Sequence, residues 1–295
     1  MKKEKKKDQN EETTKEISLW KLSWNQLQKH KVALAGGIFV ILFILIAITA
    51  PVISPYDPLK TDFQSALKAP SFLHLFGTDH FGRDVFSRII YGARTSLLIG
   101  VFSVAIAAVG GILLGLVSGF FSGWIDSLIM RIMDVMLTFP RILLSILLIA
   151  IIGSGMGNIM LAVGLFAIPT YARLVRSMVL ALRETEFVES ARAVGGSNWR
   201  VMFKHIFPGT IGPVVVQSTF LTATSVRVAS GLSFLGIGVP APTPEWGSML
   251  ADARSYMAIA PHLLTIPGLS LMIVVLSFNL LGDGLRDALD PRQRK

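Results

Sequence analysis

Five long runs of uncharged, mostly apolar residues alternate with charged segments along this chain. Each run is long enough to cross a bilayer, which takes about 20 apolar residues because hydrocarbon offers no partner for backbone polar groups. The pattern therefore predicts transmembrane helices. The runs cover residues 32–56, 95–125, 142–172, 206–226 and 255–282.

The third run predicts two helices rather than one. Residues 153–158 are Gly-Ser-Gly-Met-Gly-Asn, a composition typical of a loop. The helix before this loop must then begin near Arg131 to be long enough, and the fifth span is expected to continue to about Leu235. The sequence thus predicts an all-α membrane protein with six transmembrane helices.

The composition agrees with a lipid environment. Of the 295 residues, 52% are hydrophobic and 16% are charged, whereas soluble domains have about 25% charged residues. The net charge of +9 does not indicate nucleic-acid binding, because residues 1–31 alone hold nine Lys against five Asp or Glu. We expect this segment to be a basic cytoplasmic tail. The chain has no cysteine, which excludes disulfides and thiolate metal sites.

The distribution of basic residues predicts the orientation in the membrane. Six spans place both termini on one side, together with residues 126–141 and residues 173–205. These segments and the termini hold 21 Lys or Arg, and the opposite loops hold six. We therefore expect both termini in the cytoplasm and the protein in the cell membrane, with several spans.

Nearly all ionisable groups lie at the ends of the uncharged runs, and no carboxylate lies deep inside one. A proton-coupled secondary carrier usually needs such carboxylates, so this class is disfavoured. The phosphate-binding pattern GxxxxGK[ST] and the catalytic patterns HExxH and GxSxG are absent. We expect no catalytic residue here, and energy for transport must come from a partner. A membrane scaffold or sensor that transports nothing stays open on these grounds.

Glycines recur at every fourth position in the second run. Such spacing lines one face of a helix with hydrogen atoms, so that another helix approaches closely. The predicted stripe consists of Gly111, Gly115, Gly119 and Gly123.

The cytoplasmic segment 173–205 is too long and too patterned for a simple connection. It predicts a short helix from Arg183 to Val194, a glycine C-cap at Gly195, and a second helix capped by Ser197. The pattern alone leaves two readings open, an amphipathic helix pair at the lipid interface and a plug that docks in a groove of a soluble partner. The predicted apolar positions are Phe187, Ala191 and Val194 in the first helix and Trp199, Met202, Phe203 and Ile206 in the second.

This segment resembles the EAA loop of bacterial ABC importer permeases. The resemblance rests on Glu189-Ser-Ala191, Gly195 and Phe207-Pro208, and departs from the usual pattern at Ser190, His205 and Phe207. It implies the type I ABC importer transmembrane fold, with a hairpin that inserts into an ATPase subunit. Glu189 would make a charged contact there, and Gly195 would provide the bend. The residues expected to couple are Glu186, Glu189, Ala191, Arg192, Gly195, Gly196, Trp199, Phe203 and Pro208.

Other segments resemble the dipeptide and oligopeptide permeases of the C type. They are residues 74–88, 91–94, 232–236, 242–247 and 279–291, whereas residues 168–176 and 205–209 are especially similar to the glutathione-importer branch. The resemblance implies import of di- or oligopeptides, with glutathione or a nickel chelate as alternatives.

The same resemblance implies partners and a division of the chain. The expected partners are a second permease, ATP-binding subunits, an extracytoplasmic binding protein, the peptide and the lipid bilayer. The chain itself would bind no cofactor, because ATP and magnesium belong to the ATPase subunits. The expected segments are a tail at 1–31, a first helix at 32–54, an extracytoplasmic loop at 55–94, a permease domain at 95–285 with a coupling loop at 177–207, and a C-terminus at 286–295.

Three residues are candidates for the translocation path. Arg227, in the fifth run, is expected to contact a substrate carboxylate. Arg141 either faces the path or lies at the cytoplasmic interface, and the interface is favoured. Glu245 either faces the path, docks the binding protein or caps a helix.

The external loop contains a possible metal-binding group, Asp79, His80 and Asp84. Spacings of one and four residues outside a helix are weak evidence for a metal, and turn-forming roles are more common. We therefore expect no metal site.

Overall fold

The structure is a computed structural model that describes residues 30–289. The predicted basic tail up to residue 29 and the last six residues of the C-terminus lie outside the described residues. Within the described range the chain is helical and has no β-strand, apart from one isolated bridge between Thr78 and Asp84. The helices are α1 Lys31–Ile53, α2 Val85–Phe121, α3 Gly123–Thr138, α4 Arg141–Ile152, α5 Met156–Leu165, α6 Ile168–Leu182, α7 Glu186–Ala193, α8 Asn198–Arg200, α9 Phe207–Phe234, α10 Trp246–Ala253 and α11 His262–Leu289.

By length and composition, five stretches of the described chain are candidates to cross a membrane. Three are the single helices α1, α2 and α11, one joins α5 to α6, and one runs from α8 through α9. The pair α3 and α4 adds a sixth if it counts as one broken span. The all-helical fold and the number of candidate spans agree with the sequence pattern.

The third span differs from the prediction. A straight helix from about Arg131 was expected, but α3 begins earlier, at Gly123, and meets α4 at an angle of 93°. Pro140 explains the break, because it lacks an N–H and its ring disfavours a helical conformation in the residue before it. Phe139 is accordingly extended, with φ −95° and ψ 145°. Arg141 is therefore the first residue of α4.

Helix α2 begins ten residues before the predicted start of the second span at residue 95. Its first residue is Val85, and Asp84 caps it by accepting a hydrogen bond from the Ser87 N–H at 2.8 Å. Arg88, inside this added stretch, donates to the carbonyl of Pro58 at 3.2 Å. The helix thus extends past the apolar run, because its polar first turns bind the folded external loop.

The cytoplasmic and C-terminal boundaries also shift. Helix α6 continues to Leu182, so the first third of the predicted loop at 173–205 is helical. The last helix, α11, begins at His262 and extends to Leu289, beyond the predicted end of the sixth span. The segment before it forms α10 and a short 3-10 turn, Arg254–Tyr256.

Helix α2 lies at the centre of the bundle and packs against α1, α5, α6 and α9. Its closest neighbour is α6, which it meets along Gly111, Gly115 and Gly119. A Cβ atom on Gly115 would lie 2.6 Å from the carbonyl oxygen of Ala172 on α6. The predicted glycine stripe is therefore correct for three of its four members.

Gly123 does not belong to this stripe. It begins α3 with a positive φ of 62°, and a Cβ there would have no neighbour within 4 Å. Its role is to allow the turn between α2 and α3, because a left-handed backbone favours glycine.

Helices α2 and α9 contribute to all three major apolar clusters of the core. One of these clusters surrounds Trp246 of α10, which is fully buried. The Trp246 indole donates to the carbonyl of Ile89 at 3.2 Å and meets the ring of Phe43 edge-on at 6.0 Å. The short helix α10 thus closes the bundle at the end formed by the external loop.

We expect Gly115→Ala to destabilise the protein by about 1–3 kcal/mol, because its methyl group would overlap the α6 backbone. The melting temperature of the detergent-solubilised protein should fall by several degrees. Gly157→Ala is the matched control, since a Cβ at Gly157 of α5 has open space around it. Equal melting temperatures for the two variants would contradict the close α2–α6 contact.

Candidate functional site

A turn at Gly195 and Gly196 joins two short helices after α6. The Gly195 N–H donates to the carbonyl of Arg192 at 2.9 Å, and the Gly196 N–H donates to the carbonyl of Ala191 at 3.0 Å. Gly195 has a φ of 87°. This pair of hydrogen bonds is the Schellman motif, in which a left-handed glycine ends a helix. The predicted glycine C-cap is confirmed.

The second helix begins as predicted but changes its winding. Ser197 caps α8 by accepting from the Arg200 N–H at 3.4 Å, and a π-helical segment, Val201–Ile206, follows. The Phe207 N–H then bonds to the carbonyl of Met202, five residues back. Pro208 is the second residue of α9 and directly follows the π segment. A continuous α-helix through this region was predicted, and the π segment corrects it.

One face of this helix pair is buried in the bundle. Val188, Val201 and Ile206 have no exposed surface, and Met202 has 1%. They join an apolar cluster with Phe120 of α2 and with residues of α6 and α9. The segment is therefore packed onto the transmembrane helices.

The opposite face is apolar and uncovered. Val194 is 90% exposed, Trp199 is 59% exposed, and the rings of Trp199 and Phe203 stack at 5.9 Å between centroids. Phe187 is half exposed. Exposed apolar patches of this kind mark surfaces that bind another molecule.

The predicted apolar stripes are therefore only partly correct. Phe187 and Val194, expected on one side of the first helix together with Ala191, both face outward, and Val188 takes the buried position. In the second helix the expected stripe divides into buried Met202 and Ile206 and an exposed pair, Trp199 and Phe203.

Charged residues lie among the exposed aromatic rings. Glu186 and Glu189 are exposed on α7. Arg192 is also exposed, and its guanidinium carbon lies 5.1 Å from the centre of the Phe120 ring. A cation over a ring face is attracted to it, so Arg192 connects α7 to the end of α2.

Ion pairs near the same end connect α3 to α6. The Arg176 guanidinium donates to both oxygens of Asp126, at 2.6 and 2.5 Å, and Ser118 donates to the same carboxylate. A second pair joins Arg173 to Asp134 at 2.5 Å. Sequence reasoning missed these contacts. The sequence signal for these ion pairs was a pair of aspartates eight residues apart and a pair of arginines three residues apart.

Arg183, at the end of α6, holds the end of α2. It donates to the carbonyl of Gly119 at 3.1 Å and to the hydroxyl of Ser122. The segment from α6 to α7 is thus attached to α2 by hydrogen bonds as well as by apolar packing.

The candidates for the translocation path occupy three different environments. Arg227 of α9 is exposed and makes no ion pair or hydrogen bond with any residue from 30 to 289. Arg141 donates to the hydroxyl of Thr170 at 2.9 Å.

Glu245 has no exposed surface and caps α10, accepting from the Ser248 N–H at 2.8 Å. Its other oxygen accepts from Ser230 at 2.9 Å and from Ser96 at 3.3 Å. Of the three roles considered for Glu245, the structure gives it the capping role.

In the external loop, hydrogen bonds take up the two aspartates of the suspected metal group. Asp79 accepts from the Arg83 guanidinium at 2.6 Å, and Asp84 pairs with His74 at 2.8 Å while it caps α2. His80 instead stacks on Tyr256 at 5.1 Å between ring centroids. Between residues 30 and 289, no three His, Cys, Asp or Glu are placed to hold a metal ion together.

Comparison with known proteins decides the family. The family of inner membrane components of binding-protein-dependent transport systems matches residues 111–295, and the N-terminal transmembrane domain of oligopeptide transport permease C matches residues 18–70. This chain belongs to that permease family. Permeases of the family are membrane subunits and not catalytic ones.

The relatives of this permease are similar along nearly their whole length. A dipeptide transport system permease protein of Alkalihalophilus pseudofirmus is 48% identical over 278 residues, which is 94% of this chain and 91% of that protein. A glutathione transport system permease protein of Pectobacterium atrosepticum is 47% identical over 274 residues, 92% of this chain and 91% of its own. The glutathione permease of Escherichia coli O157:H7 is 49% identical, with coverages of 92% and 90%.

We expect Asp126→Asn to destabilise this permease more than Asp134→Asn does. The Asp126 side chain is 15% exposed and holds Arg176 by two hydrogen bonds, whereas Asp134 is 57% exposed. A partly buried pair that loses one partner costs about 1–3 kcal/mol, and an exposed pair costs about 0–1 kcal/mol. Melting temperatures of the two purified variants test this, and a larger effect at Asp134 would contradict it.

Proposed function

We propose that this permease forms the membrane passage of an ATP-driven importer of di- and oligopeptides. The observation that carries the proposal is the segment from α7 through the π segment Val201–Ile206, which is buried against α2, α6 and α9 on one face and exposes aromatic and acidic residues on the other. Such a segment transmits the movement of a bound partner to the helices beneath it. The names of the relatives, dipeptide and glutathione permeases, support a peptide as the cargo.

In this proposal α7 and α8 form the coupling hairpin of a type I transporter. ATP-binding subunits dock on the exposed rings of Trp199 and Phe203, and Glu189 makes the charged contact. ATP and magnesium are bound by those subunits, and this chain binds no cofactor. When the ATPase subunits close, the rigid attachment of α7 to α6 moves the transmembrane helices between two arrangements.

The remaining partners follow from the same mechanism. A second, homologous permease completes the passage, and an extracytoplasmic binding protein delivers the peptide. Both termini lie in the cytoplasm, as the excess of basic residues on that side supports. The permease domain, predicted at residues 95–285, is proposed to run from the start of α2 at Val85 to the end of α11 at Leu289, and the coupling loop, predicted at residues 177–207, is proposed to follow α6.

The relatives named as glutathione permeases favour a second candidate cargo. Glutathione is a tripeptide with free carboxylates, so the same passage would accept it, with Arg227 as the cation that contacts a carboxylate. A proton-coupled mechanism is less well supported. The carboxylates Asp126 and Asp134 on the broken third span are each paired with an arginine.

We expect Glu189→Lys to lower peptide uptake by about tenfold or more, because it reverses a charge at the docking surface. Asp283→Lys is the matched control, a charge reversal at an exposed aspartate of α11 that lies outside the coupling loop and makes no ion pair within residues 30–289, and it should retain uptake within about threefold. Uptake of labelled dipeptides and glutathione is measured in cells, together with the amount of ATPase subunit that copurifies. Normal uptake by Glu189→Lys at normal membrane levels would contradict the coupling role.

Arg227 is proposed to contact the carboxylate of the cargo, because it is a charged, exposed side chain on a transmembrane helix. Arg227→Gln should lower uptake of a free peptide by about tenfold, and Arg227→Lys should lower it less. The same peptide with an amidated C-terminus should be affected little by either substitution. Equal losses for the free and amidated peptides would show that Arg227 does not recognise the carboxylate.

A further inference from the structure

An apolar groove with one cation at its end lies between α1 and α2. Its volume is about 450 Å³, within the range of about 300–1,000 Å³ typical of small-molecule sites. Arg94 is the one charged residue among those that line it, and the others are aliphatic. The lining consists of Ile44, Ala47, Ile48, Arg94, Leu97, Leu98 and Val101.

The residues that line the groove follow one another along one face of each helix. On α2, Arg94, Leu97 and Val101 follow at intervals of three and four residues and therefore share one helix face. At 1.5 Å per residue, the aliphatic part extends about 10 Å from Arg94 along α2. Ile44 and Ile48 form the facing wall on α1.

The depth of Arg94 matches the boundary between headgroups and hydrocarbon. It directly precedes the uncharged run that starts at Thr95, and the folded external loop ends ten residues before it, at Asp84. The aliphatic groove therefore points from Arg94 toward the middle of the bilayer. An arginine in this position extends its charged end to the interface and lays its stem along apolar surface.

The arginine is available to a ligand. Arg94 is exposed and makes no ion pair or hydrogen bond with any residue of the described range 30–289. Arg88, two turns earlier on the same helix, is instead buried and pairs with Asp79 at 3.5 Å. The walls of the groove are uncovered as well, since Ile48 is 69% exposed and Val101 is 51% exposed.

We propose that this groove binds an anionic phospholipid. The phosphate group pairs with Arg94, and one acyl chain lies in the groove between α1 and α2. Charge complementarity selects the headgroup, because a basic side chain between transmembrane helices attracts acidic lipids. The aliphatic lining selects a lipid over free phosphate. With the orientation proposed above, the site lies in the extracytoplasmic leaflet, and it would exist whatever cargo the permease carries.

The test is native mass spectrometry of the purified permease with its partner subunits, after incubation with phosphatidylglycerol, phosphatidylcholine or inorganic phosphate. We expect one phosphatidylglycerol to be retained at least about fivefold more than phosphatidylcholine. Inorganic phosphate should not displace it. Equal retention of the two lipids, or displacement by phosphate, would overturn the proposal.

Substitutions locate the site. Arg94→Gln should reduce retention of phosphatidylglycerol by about fivefold, and Arg94→Lys should reduce it less. Ile48→Trp should also reduce retention by filling the groove. The matched control is Leu42→Trp, which alters an exposed leucine on the face of α1 turned away from the groove and should leave retention unchanged.

A second measurement separates this site from a contact between permeases. The amount of second permease that copurifies should be the same for Arg94→Gln and for the unaltered protein. If Arg94→Gln lost the second permease, or if it retained phosphatidylglycerol normally in an intact complex, the lipid site would be refuted. Loss of lipid with normal peptide uptake would support the lipid site and leave the transport proposal untouched.

Discussion

The close contact between α2 and α6 is the constraint on which the rest of the bundle depends. Three glycines let the two backbones meet, since a Cβ on Gly111, Gly115 or Gly119 would lie under 3 Å from atoms of α6. In a membrane this packing matters especially, because lipid tails give helices little hydrophobic reason to associate. This contact therefore helps to fix the position of the segments that follow α6 in the chain, including the turn at Gly195.

The contact also explains why charged groups are arranged as they are around α6. Arg176 reaches Asp126 of α3, and Arg183 reaches the carbonyl of Gly119 at the end of α2. Both contacts require α2 and α6 to be close at this end. Under the coupling proposal, a displacement of α7 would therefore act on three helices at once, and not on α6 alone. A rigid attachment of this kind favours movement between two discrete arrangements over gradual bending.

Much of this architecture is predictable from the sequence, because long apolar runs and glycine spacing depend only on local periodicity. The candidate spans, the α2–α6 glycines and the cap at Gly195 were predicted on that basis. Pro140 in the sequence indicates the break between α3 and α4, although a single helix was expected there. The π segment Val201–Ile206 was not predictable, because a helix with i, i+4 apolar spacing looks the same in sequence whether or not one turn widens.

Whether a side chain is buried or exposed could be predicted from the sequence only where its charge alone determines this. Glu245 illustrates the limit, because its burial depends on Ser96 and Ser230, which lie 149 and 15 residues away in the chain. The burial of Val188 in α7 was not predicted for a similar reason. Val188 and Phe187 are neighbours of comparable hydrophobicity, and only the position of the surrounding helices decides which one is buried.

The arginines of the two central helices, α2 and α9, are of two kinds: one forms an ion pair with an aspartate, and the others form no ion pair within residues 30–289. Arg88 is buried and paired, so it serves the fold of the external loop. Arg94 and Arg227 are exposed and make no ion pair with any residue between 30 and 289. An unpaired cation in a membrane helix is costly unless water, lipid phosphate or a ligand meets it. The two sites differ in their surroundings, because an aliphatic groove continues from Arg94. This difference supports the proposed lipid site at Arg94 and gives no such groove to Arg227, which is proposed to serve the passage.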